Sequence, residues 1–173
     1  VLLYRLGESQ LVKMASPFFL DERADGGLGL STTEVGFIYG TLGVIALLIG
    51  GITGGILISR DGLGKWMMPM AFAINAPNIG YVFLAWLQPD NVYFAALVVV
   101  IEQLGYGFGF AAFMVFLLFL AEGIFKTAHY ALATGFMAMG MMLPGMLSGY
   151  VQQWLGYPGF FVWVVIATIP GFV

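Results

Sequence analysis

Long apolar runs alternate with short polar clusters along the whole chain. A helix needs about 20 residues to cross the hydrocarbon core of a membrane, which is about 30 Å thick. The pattern therefore predicts six membrane spans, at about residues 1–20, 32–58, 66–87, 92–120, 130–154 and 158–173. We expect an all-α membrane protein in which residues 1–173 form a single six-helix transmembrane bundle.

Capping and glycine signals refine the second span. Ser31 and Glu34 have the S-x-x-E spacing of a capping box, which starts a helix. Glycines recur four residues apart in this span, a spacing that lets a neighbouring helix approach closely. The pairs are Gly36 and Gly40, Gly50 and Gly54, and Gly51 and Gly55. We interpret them as packing positions.

Proline and glycine predict irregular backbone in the third and fourth spans. Pro69 and the sequence Asn75-Ala76-Pro77-Asn78 should bend the third span and free backbone carbonyls. In the fourth span, glycine stands at every second position from 105 to 109. This repeat predicts either local unwinding or very close packing of the helix.

Composition agrees with a membrane protein. The 173 residues are 61% hydrophobic and 9% charged, whereas about a quarter of the residues in a soluble domain are charged. The six Lys and Arg residues form no basic patch, so we expect no nucleic-acid partner. The absence of cysteine excludes disulfides and thiolate metal sites. Because the sequence starts and ends within apolar runs, we interpret it as a piece of a longer membrane protein.

The first span carries polar and charged residues on one face. At about 100° per residue, these positions fall within an arc of about 140°. They are Arg5, Glu8, Ser9, Lys13 and Ser16. A charge in hydrocarbon costs several kcal/mol, so such side chains normally face a bundle interior or a wet cavity, often in pairs. We predict that this polar stripe lines a cavity.

Two carboxylates, Glu8 and Glu102, stand near mid-membrane by their distance from the ends of their spans. Intramembrane acids usually belong to ion or substrate pathways. Arg5 stands one helical turn before Glu8 and could pair with it until a proton or a substrate competes. We predict a proton and substrate pathway of Arg5, Glu8, Lys13, Glu102 and Gln103, with Ser9, Asn75 and Asn78 as further polar groups of the cavity. The alternative is a purely structural ion pair between helices.

Other polar residues carry weaker signals. Lys13 leaves two interpretations open, the binding of an anionic substrate or extension of the side chain to the membrane interface. His129, the only histidine, stands at a boundary between a loop and a helix, and we interpret it as a solvated cap. No nucleophile–base pair, phosphate loop or set of metal ligands is recognisable, so we expect neither an enzyme nor a bound metal or cofactor.

Lysine and arginine predict the orientation in the membrane. Arg60, Lys65 and Lys126 fall in the loops after the second and fourth spans, whereas Arg23 falls on the opposite side. Loops rich in these residues face the cytoplasm. The two loops, and with six spans both ends of the chain, should therefore be cytoplasmic.

The turn after the second span resembles the gating turn of major facilitator superfamily transporters, Gly-x-x-x-Asp-Arg-x-Gly-Arg-Lys. The residues that fit approximately are Gly55, Arg60, Gly62 and Lys65. Ser59 stands where that family has its acid, and Asp61 is the neighbouring carboxylate that could replace it. The resemblance implies that these residues form a cytoplasmic gating turn and that the chain is half of such a transporter.

A likeness over nearly the whole chain points to the second half of AmpG-type muropeptide permeases. The matching pieces are Leu2-Leu-Tyr-Arg-Leu-Gly-Glu8, Glu34-Val-Gly36, Thr41-Leu-Gly43, Gly54-Gly-Ile-Leu57, Asn78-Ile-Gly-Tyr81, and Glu102 with its spaced glycines. The resemblance implies a twelve-helix, proton-linked carrier that imports peptidoglycan fragments across the bacterial inner membrane. It implies that Glu8 and Glu102 match membrane acids of the family. Gly40 stands where some of these permeases carry a lysine.

We therefore predict a secondary active transporter, a proton-coupled symporter of sugar or peptide fragments of peptidoglycan, driven by the proton gradient without a cofactor. Its partners would be a small-molecule solute, the lipid bilayer and an N-terminal six-helix half of the same protein. The alternatives are a major facilitator carrier for another solute, such as a sugar, peptide or organic anion, a structural or channel-forming subunit, and an intramembrane enzyme. Taken alone, this half should expose an apolar, Gly-lined face with unpaired charges.

Overall fold

A computed structural model describes residues 5–121 and 125–172, the last residue by its backbone alone. Within these ranges the chain forms five α-helices and no β-strand. They are α1 (Leu6–Leu20), α2 (Thr32–Asp61), α3 (Leu63–Leu87), α4 (Val92–Leu120) and α5 (Lys126–Thr168), which ends in a 3-10 turn at Ile169–Phe172. The predicted all-α architecture is confirmed.

Four of these helices, α2 to α5, are long and apolar enough to cross a membrane. The described part of α1 has 15 residues. The residues predicted as a sixth span follow a non-helical residue, Gly156, within α5. The count of six spans stays a prediction.

The start of α2 follows the predicted capping box. The backbone N–H of Glu34 donates to the Ser31 hydroxyl at 3.3 Å, and the Ser31 N–H donates to the Glu34 carboxylate at 2.9 Å. The helix widens into a π-helical turn at Ile38–Gly43. It ends at Asp61 because Gly62, with a φ of 85°, adopts a conformation that other residues rarely take. The end predicted at residue 58 was too early.

A break at Pro77 divides α3 into Leu63–Asn75 and Asn78–Leu87. Proline has no N–H, so Pro77 cannot donate to the carbonyl of Ala73 one turn earlier. The irregular backbone predicted for this segment is therefore present at Pro77, whereas Pro69 lies inside a helix.

Glycines bring α4 into backbone contact with α2 and α3. A Cβ on Gly107 would lie 2.1 Å from the carbonyl oxygen of Leu47 in α2. A Cβ on Gly105 would lie 2.0 Å from the carbonyl oxygen of Ala73 in α3. Since α4 remains helical across this region, very close packing is the correct one of the two predicted outcomes.

The predicted glycine pairs of α2 are used unequally. Gly50 and Gly54 face α4, and a Cβ on either would come within 2.9 Å of an α4 backbone atom. Gly36, Gly40 and Gly55 have no described atom within 4 Å of the Cβ position. The expected Gly-lined outer face is therefore present on α2.

The direction of α5 reverses at Gly156, whose φ of 65° and ψ of 173° are not helical. Before the break, a Cβ on Gly145 would lie 3.0 Å from Cγ of Lys13 in α1. After it, Cγ2 of Thr168 lies 2.5 Å from the Cβ position of Gly7 in α1. A straight helix would separate residues 145 and 168 by about 35 Å, whereas the two α1 contacts are about 9 Å apart along the axis. Both arms of α5 therefore pack on α1.

Contacts between loops close one end of the bundle. Arg23, after α1, donates to the backbone carbonyls of Gln88 and Pro89, after α3, each at 3.0 Å. The Tyr157 hydroxyl, next to the α5 break, donates to the Asp21 carboxylate at 2.5 Å. The loops after α1 and α3 and the break in α5 thus meet at one end, which we term the Arg23 end.

The main hydrophobic core lies between α1, the second half of α3 and the part of α5 after the break. Its largest members are buried rings, those of Phe18, Phe19, Tyr81, Tyr157, Phe160 and Phe161. These rings pack α1 and α5 against the half of α3 that carries Tyr81.

Candidate functional site

A buried ion pair joins Arg5, directly before α1, to Glu8 in the first turn. Arg5 Nη2 donates to Glu8 Oε1, and each side chain is 3% exposed. The three-residue spacing makes them neighbours on the helix surface, and the predicted pairing is present. The same nitrogen donates to the Tyr106 hydroxyl of α4 at 2.9 Å. The expectation that these charges would be exposed and unpaired is wrong, because α4 covers them.

Three aromatic rings of α4 surround the Arg5 guanidinium. Its central carbon lies 5.6, 5.3 and 5.8 Å from the ring centroids of Tyr106, Phe110 and Phe113. Aromatic faces attract a cation at such distances, and more strongly where water is excluded. The rings recur at about one-turn spacing, so a single face of α4 forms this pocket.

Glu102 of α4 is the second buried carboxylate, with 4% of its surface exposed. Its Oε2 accepts hydrogen bonds from Gln103 Nε2 at 3.0 Å and from the Tyr81 hydroxyl of α3 at 3.5 Å. The Tyr81 hydroxyl lies 2.8 Å from that of Tyr39, in the π-helical turn of α2. A line of hydroxyls therefore leads from Glu102 to the half-buried Tyr39.

Glu102 lies one helical turn before Tyr106, which accepts a hydrogen bond from the Arg5 that pairs with Glu8, so the two acids lie in the same region of the bundle. We term Arg5, Glu8, Glu102 and Gln103 the buried acid cluster. Among the residues that the structure describes, Arg5 is the one cation that forms an ion pair in this cluster. Since one arginine balances one carboxylate, the cluster can accept a proton without leaving an unpaired charge.

Lys13 does not join the buried acid cluster. Its side chain is exposed and runs beside Gly145 of α5. Ser16 is exposed as well, whereas the polar residues of the first turn are buried. The predicted polar stripe therefore divides along α1 into a buried first part and an exposed second part.

The polar groups predicted to complete a cavity differ in their partners. Ser9 donates to the carbonyl of Leu6 at 2.9 Å, and Asn75 donates to the carbonyl of Ala71 at 2.9 Å, so both are satisfied by their own helix. Asn78 is 1% exposed, and neither polar atom of its amide has a partner among the described residues. Asn78 therefore retains capacity for a small polar ligand such as water.

At the predicted gating turn, the carboxylate that forms ion pairs is Asp61. It accepts hydrogen bonds from Trp66 Nε1 at 3.0 Å and Lys65 Nζ at 3.3 Å, and it lies 4.0 Å from Arg60 Nε. Ser59 donates to a carbonyl of its own helix at 2.8 Å. Asp61 is therefore the acid that pairs with the cations of this turn, and its part in gating stays a prediction.

The tyrosines around the cluster were not predicted from the sequence. Tyr106 follows Glu102 by four residues, and this spacing could have indicated a shared helix face. Tyr39 and Tyr81 lie on other helices than Glu102, so their contact depends on packing between helices. No local pattern signals it.

Long apolar helices with charges paired inside the bundle define an α-helical integral membrane protein. The chain matches no protein-family model. It is similar over its whole length to transporters of the AmpG type, so the predicted resemblance is confirmed.

Three relatives illustrate this similarity. The chain is 28% identical over 173 residues to "Anhydromuropeptide permease" of Escherichia coli (strain K12), with 100% of this chain and 34% of that protein covered. It is 25% identical over 170 residues to "Putative transporter AmpG 4" of Rickettsia conorii and to "Putative transporter AmpG 1" of Rickettsia prowazekii, with 98% of this chain and 39% and 37% of those proteins covered. The chain therefore spans little more than a third of the length of these curated relatives.

Proposed function

We propose that this chain is the C-terminal six-helix half of a major facilitator-type secondary transporter that moves peptidoglycan-derived sugar or peptide fragments by proton-coupled symport. The similarity to relatives named as permeases supports the class and the solute. The observation that carries the mechanism is the buried acid cluster, in which Arg5 pairs with Glu8 and a second buried carboxylate, Glu102, has no cationic partner among the described residues.

Two features of the helices support a six-span half. The reversal at Gly156 divides the 43 residues of α5 into two arms, each in contact with α1. With the arms counted separately, the chain passes six times between the Arg23 end and the opposite end. The short links after α1, after α3 and at Gly156 all meet at the Arg23 end, as alternating passes require.

The distribution of cations supports an orientation. Arg60 and Lys65 flank the turn between α2 and α3, at the end opposite Arg23, and Lys126 begins α5 there. Cytoplasmic loops are rich in Lys and Arg. We therefore place this opposite end, and both ends of the chain, on the cytoplasmic side of a bacterial inner membrane. Asp61 and its cationic neighbours then form a cytoplasmic gating turn.

We propose the N-terminal half of the same protein as the partner for the outer glycine faces. Gly36 and Gly40 on α2, and Gly135 and Gly149 on α5, have no described atom within 4 Å of their Cβ positions. Such faces allow helices to approach closely in a membrane. This chain covers 34% of the Escherichia coli relative, so the rest of that relative is long enough to form a second bundle of this size.

In the buried acid cluster, Arg5 couples the binding of the solute to the binding of a proton. An anionic group of the solute competes with Glu8 for the Arg5 guanidinium. Glu8 released from Arg5 would be an unpaired buried charge, which is costly, so it takes up a proton. Release of the solute restores the ion pair and frees the proton. Binding of the anion and of the proton are therefore favourable together and costly apart.

The test is uptake of a radiolabelled anhydro-muropeptide into proteoliposomes that contain the full-length transporter, with the outside acidified. We expect accumulation that a protonophore abolishes, and no accumulation of a hexose or a dipeptide. Gradient-driven uptake of the hexose or dipeptide instead would show that the protein is a proton-coupled carrier for a different solute. Flux that only equilibrates the label, whatever the gradient, would favour a channel and contradict the proposal.

A further inference from the structure

The hydroxyls of Tyr39 and Tyr81 lie between Glu102 and the Arg23 end of the bundle. We propose that these two hydroxyls form the path by which a proton reaches Glu102 from that end. The inference rests on the proposed function in one respect, that the buried acid cluster takes up the coupled proton, and it assigns Glu102 as the acid of the cluster that the proton reaches first. Both tyrosines act on the proton and are not assigned contact with the solute.

Depth along the helices gives the path its direction. Tyr39 is about 10 Å along the axis from the start of α2, and Tyr81 about 9 Å from the end of α3. Glu102 is about 15 Å from the start of α4. All three helix termini lie at the Arg23 end, so the α-carbons of both tyrosines are nearer to that end than the α-carbon of Glu102. Of the two tyrosines, Tyr81 is fully buried and Tyr39 is half-buried, so Tyr39 is the more exposed end of the pair.

Aromatic rings pack around the two tyrosines. The rings of Phe19 and Phe161 pack on Tyr81, with centroids 5.9 and 5.4 Å away, and Phe19 packs on Tyr39 at 5.8 Å. The π-helical turn at Ile38–Gly43 carries Tyr39, and such turns occur frequently at functional sites. The turn and the rings thus hold one hydroxyl against the next.

The transfer balances in protons. A hydronium ion at Tyr39 gives a proton to the Tyr39 oxygen and becomes water, while Tyr39 gives its own proton to the Tyr81 oxygen. Tyr81 gives its own proton to the Glu102 carboxylate, which becomes a carboxylic acid. Each hydroxyl keeps one proton, and rotation of both restores the starting arrangement. The 3.5 Å between Tyr81 and Glu102 is at the limit of a hydrogen bond and must shorten during transfer.

The charge of Glu102 also responds to its other neighbours. The ionisable groups around it come from each helix that packs on this region of α4. They are Arg5 and Glu8 of α1, Tyr39 of α2, Tyr81 of α3, and Tyr106 of α4 itself. From α5, the described contact of the path is the apolar ring of Phe161. The variants below therefore change hydroxyls and leave every charge in place.

The experiment follows protonation of Glu102 by infrared spectroscopy in the full-length transporter, reconstituted in lipid nanodiscs without solute. The carboxylic acid band that Glu102→Gln removes reports the proton on Glu102, and a rapid drop in pH gives its rate of appearance. We expect Tyr81→Phe and Tyr39→Phe each to slow this rate at least about tenfold, because a phenyl ring cannot pass a proton. Tyr93→Phe, at an exposed tyrosine of α4, is the matched control and should not change it.

Appearance of the band at the wild-type rate in both Tyr81→Phe and Tyr39→Phe would overturn the inference. So would the lack of any band that Glu102→Gln removes. If Tyr81→Phe fails to fold, the half-buried Tyr39→Phe decides the outcome alone. Because no solute is present, slowed protonation together with absent muropeptide uptake by the wild type would support the path and contradict the proposed function. The two failures are therefore distinguishable.

Discussion

Gly107 of α4 meets the backbone of α2 so closely that its Cβ position lies 2.1 Å from the carbonyl oxygen of Leu47. In Gly107→Ala the two helices would have to separate. We expect the free energy of unfolding in detergent to fall by about 1–3 kcal/mol, as for other overpacked positions. The control is Gly149→Ala in α5, where no described atom lies within 4 Å of the Cβ position. Equal effects of the two variants would contradict backbone contact between α2 and α4.

The backbone reversal in α5 gives a second prediction. Gly156 has a φ of 65° and a ψ of 173°, a region that residues with a side chain adopt at a cost. Gly156→Ala should lower the free energy of unfolding by about 1–3 kcal/mol. Gly135→Ala, inside the same helix and beside open space, should be neutral or stabilise by up to about 1 kcal/mol. Tolerance of Gly156→Ala would contradict the reversal at this residue.

The hydrogen bond from Arg5 to Tyr106 gives a third prediction. Tyr106→Phe removes the accepting hydroxyl but keeps the ring beside the guanidinium. We expect a loss of about 1 kcal/mol in the free energy of unfolding. Tyr106→Leu should cost more because it also removes the cation–π contact. Tyr93→Phe on the exposed face of α4 should have no effect, and a larger effect there than at Tyr106 would contradict the described burial.

The proposed orientation is tested by cysteine labelling. The 173 residues contain no cysteine, so single cysteines can be placed at two exposed positions in a full-length protein freed of any others. Asp25→Cys lies at the Arg23 end and Gly64→Cys at the opposite end. A membrane-impermeant maleimide should label Asp25→Cys in intact spheroplasts and Gly64→Cys only after permeabilisation. The reverse pattern would place the Arg23 end in the cytoplasm.

The sequence predicted the features that depend on neighbouring residues. The capping box of Ser31 and Glu34 and the break at Pro77 were located correctly, because each is a local backbone effect. The pairing of Arg5 with Glu8 was located correctly because both lie on one turn. Each of these features needs the positions of a few consecutive residues and nothing else.

Features that depend on contacts between helices were not predictable in the same way. Lys13 shares the polar face of α1 with Glu8, yet it is exposed, whereas Glu8 is buried beside Arg5, which packs on the rings of α4. The contacts of Tyr39 with Tyr81 and of Tyr81 with Glu102 form only after three helices have packed. The glycine repeat of α4 allowed two outcomes, and the approach of α2 and α3 decided between them. A periodicity shows which face is polar, and the neighbouring helix decides whether that face is covered.

The central claim is that Glu8 couples proton movement to solute movement, and it is tested most directly by Glu8→Gln in the full-length transporter. The glutamine keeps the size of the side chain and can still hydrogen-bond, but it can neither gain a proton nor balance the charge of Arg5. We expect normal insertion into the membrane and loss of proton-driven uptake of labelled anhydro-muropeptide. Gradient-driven uptake at the wild-type rate in Glu8→Gln would contradict the account.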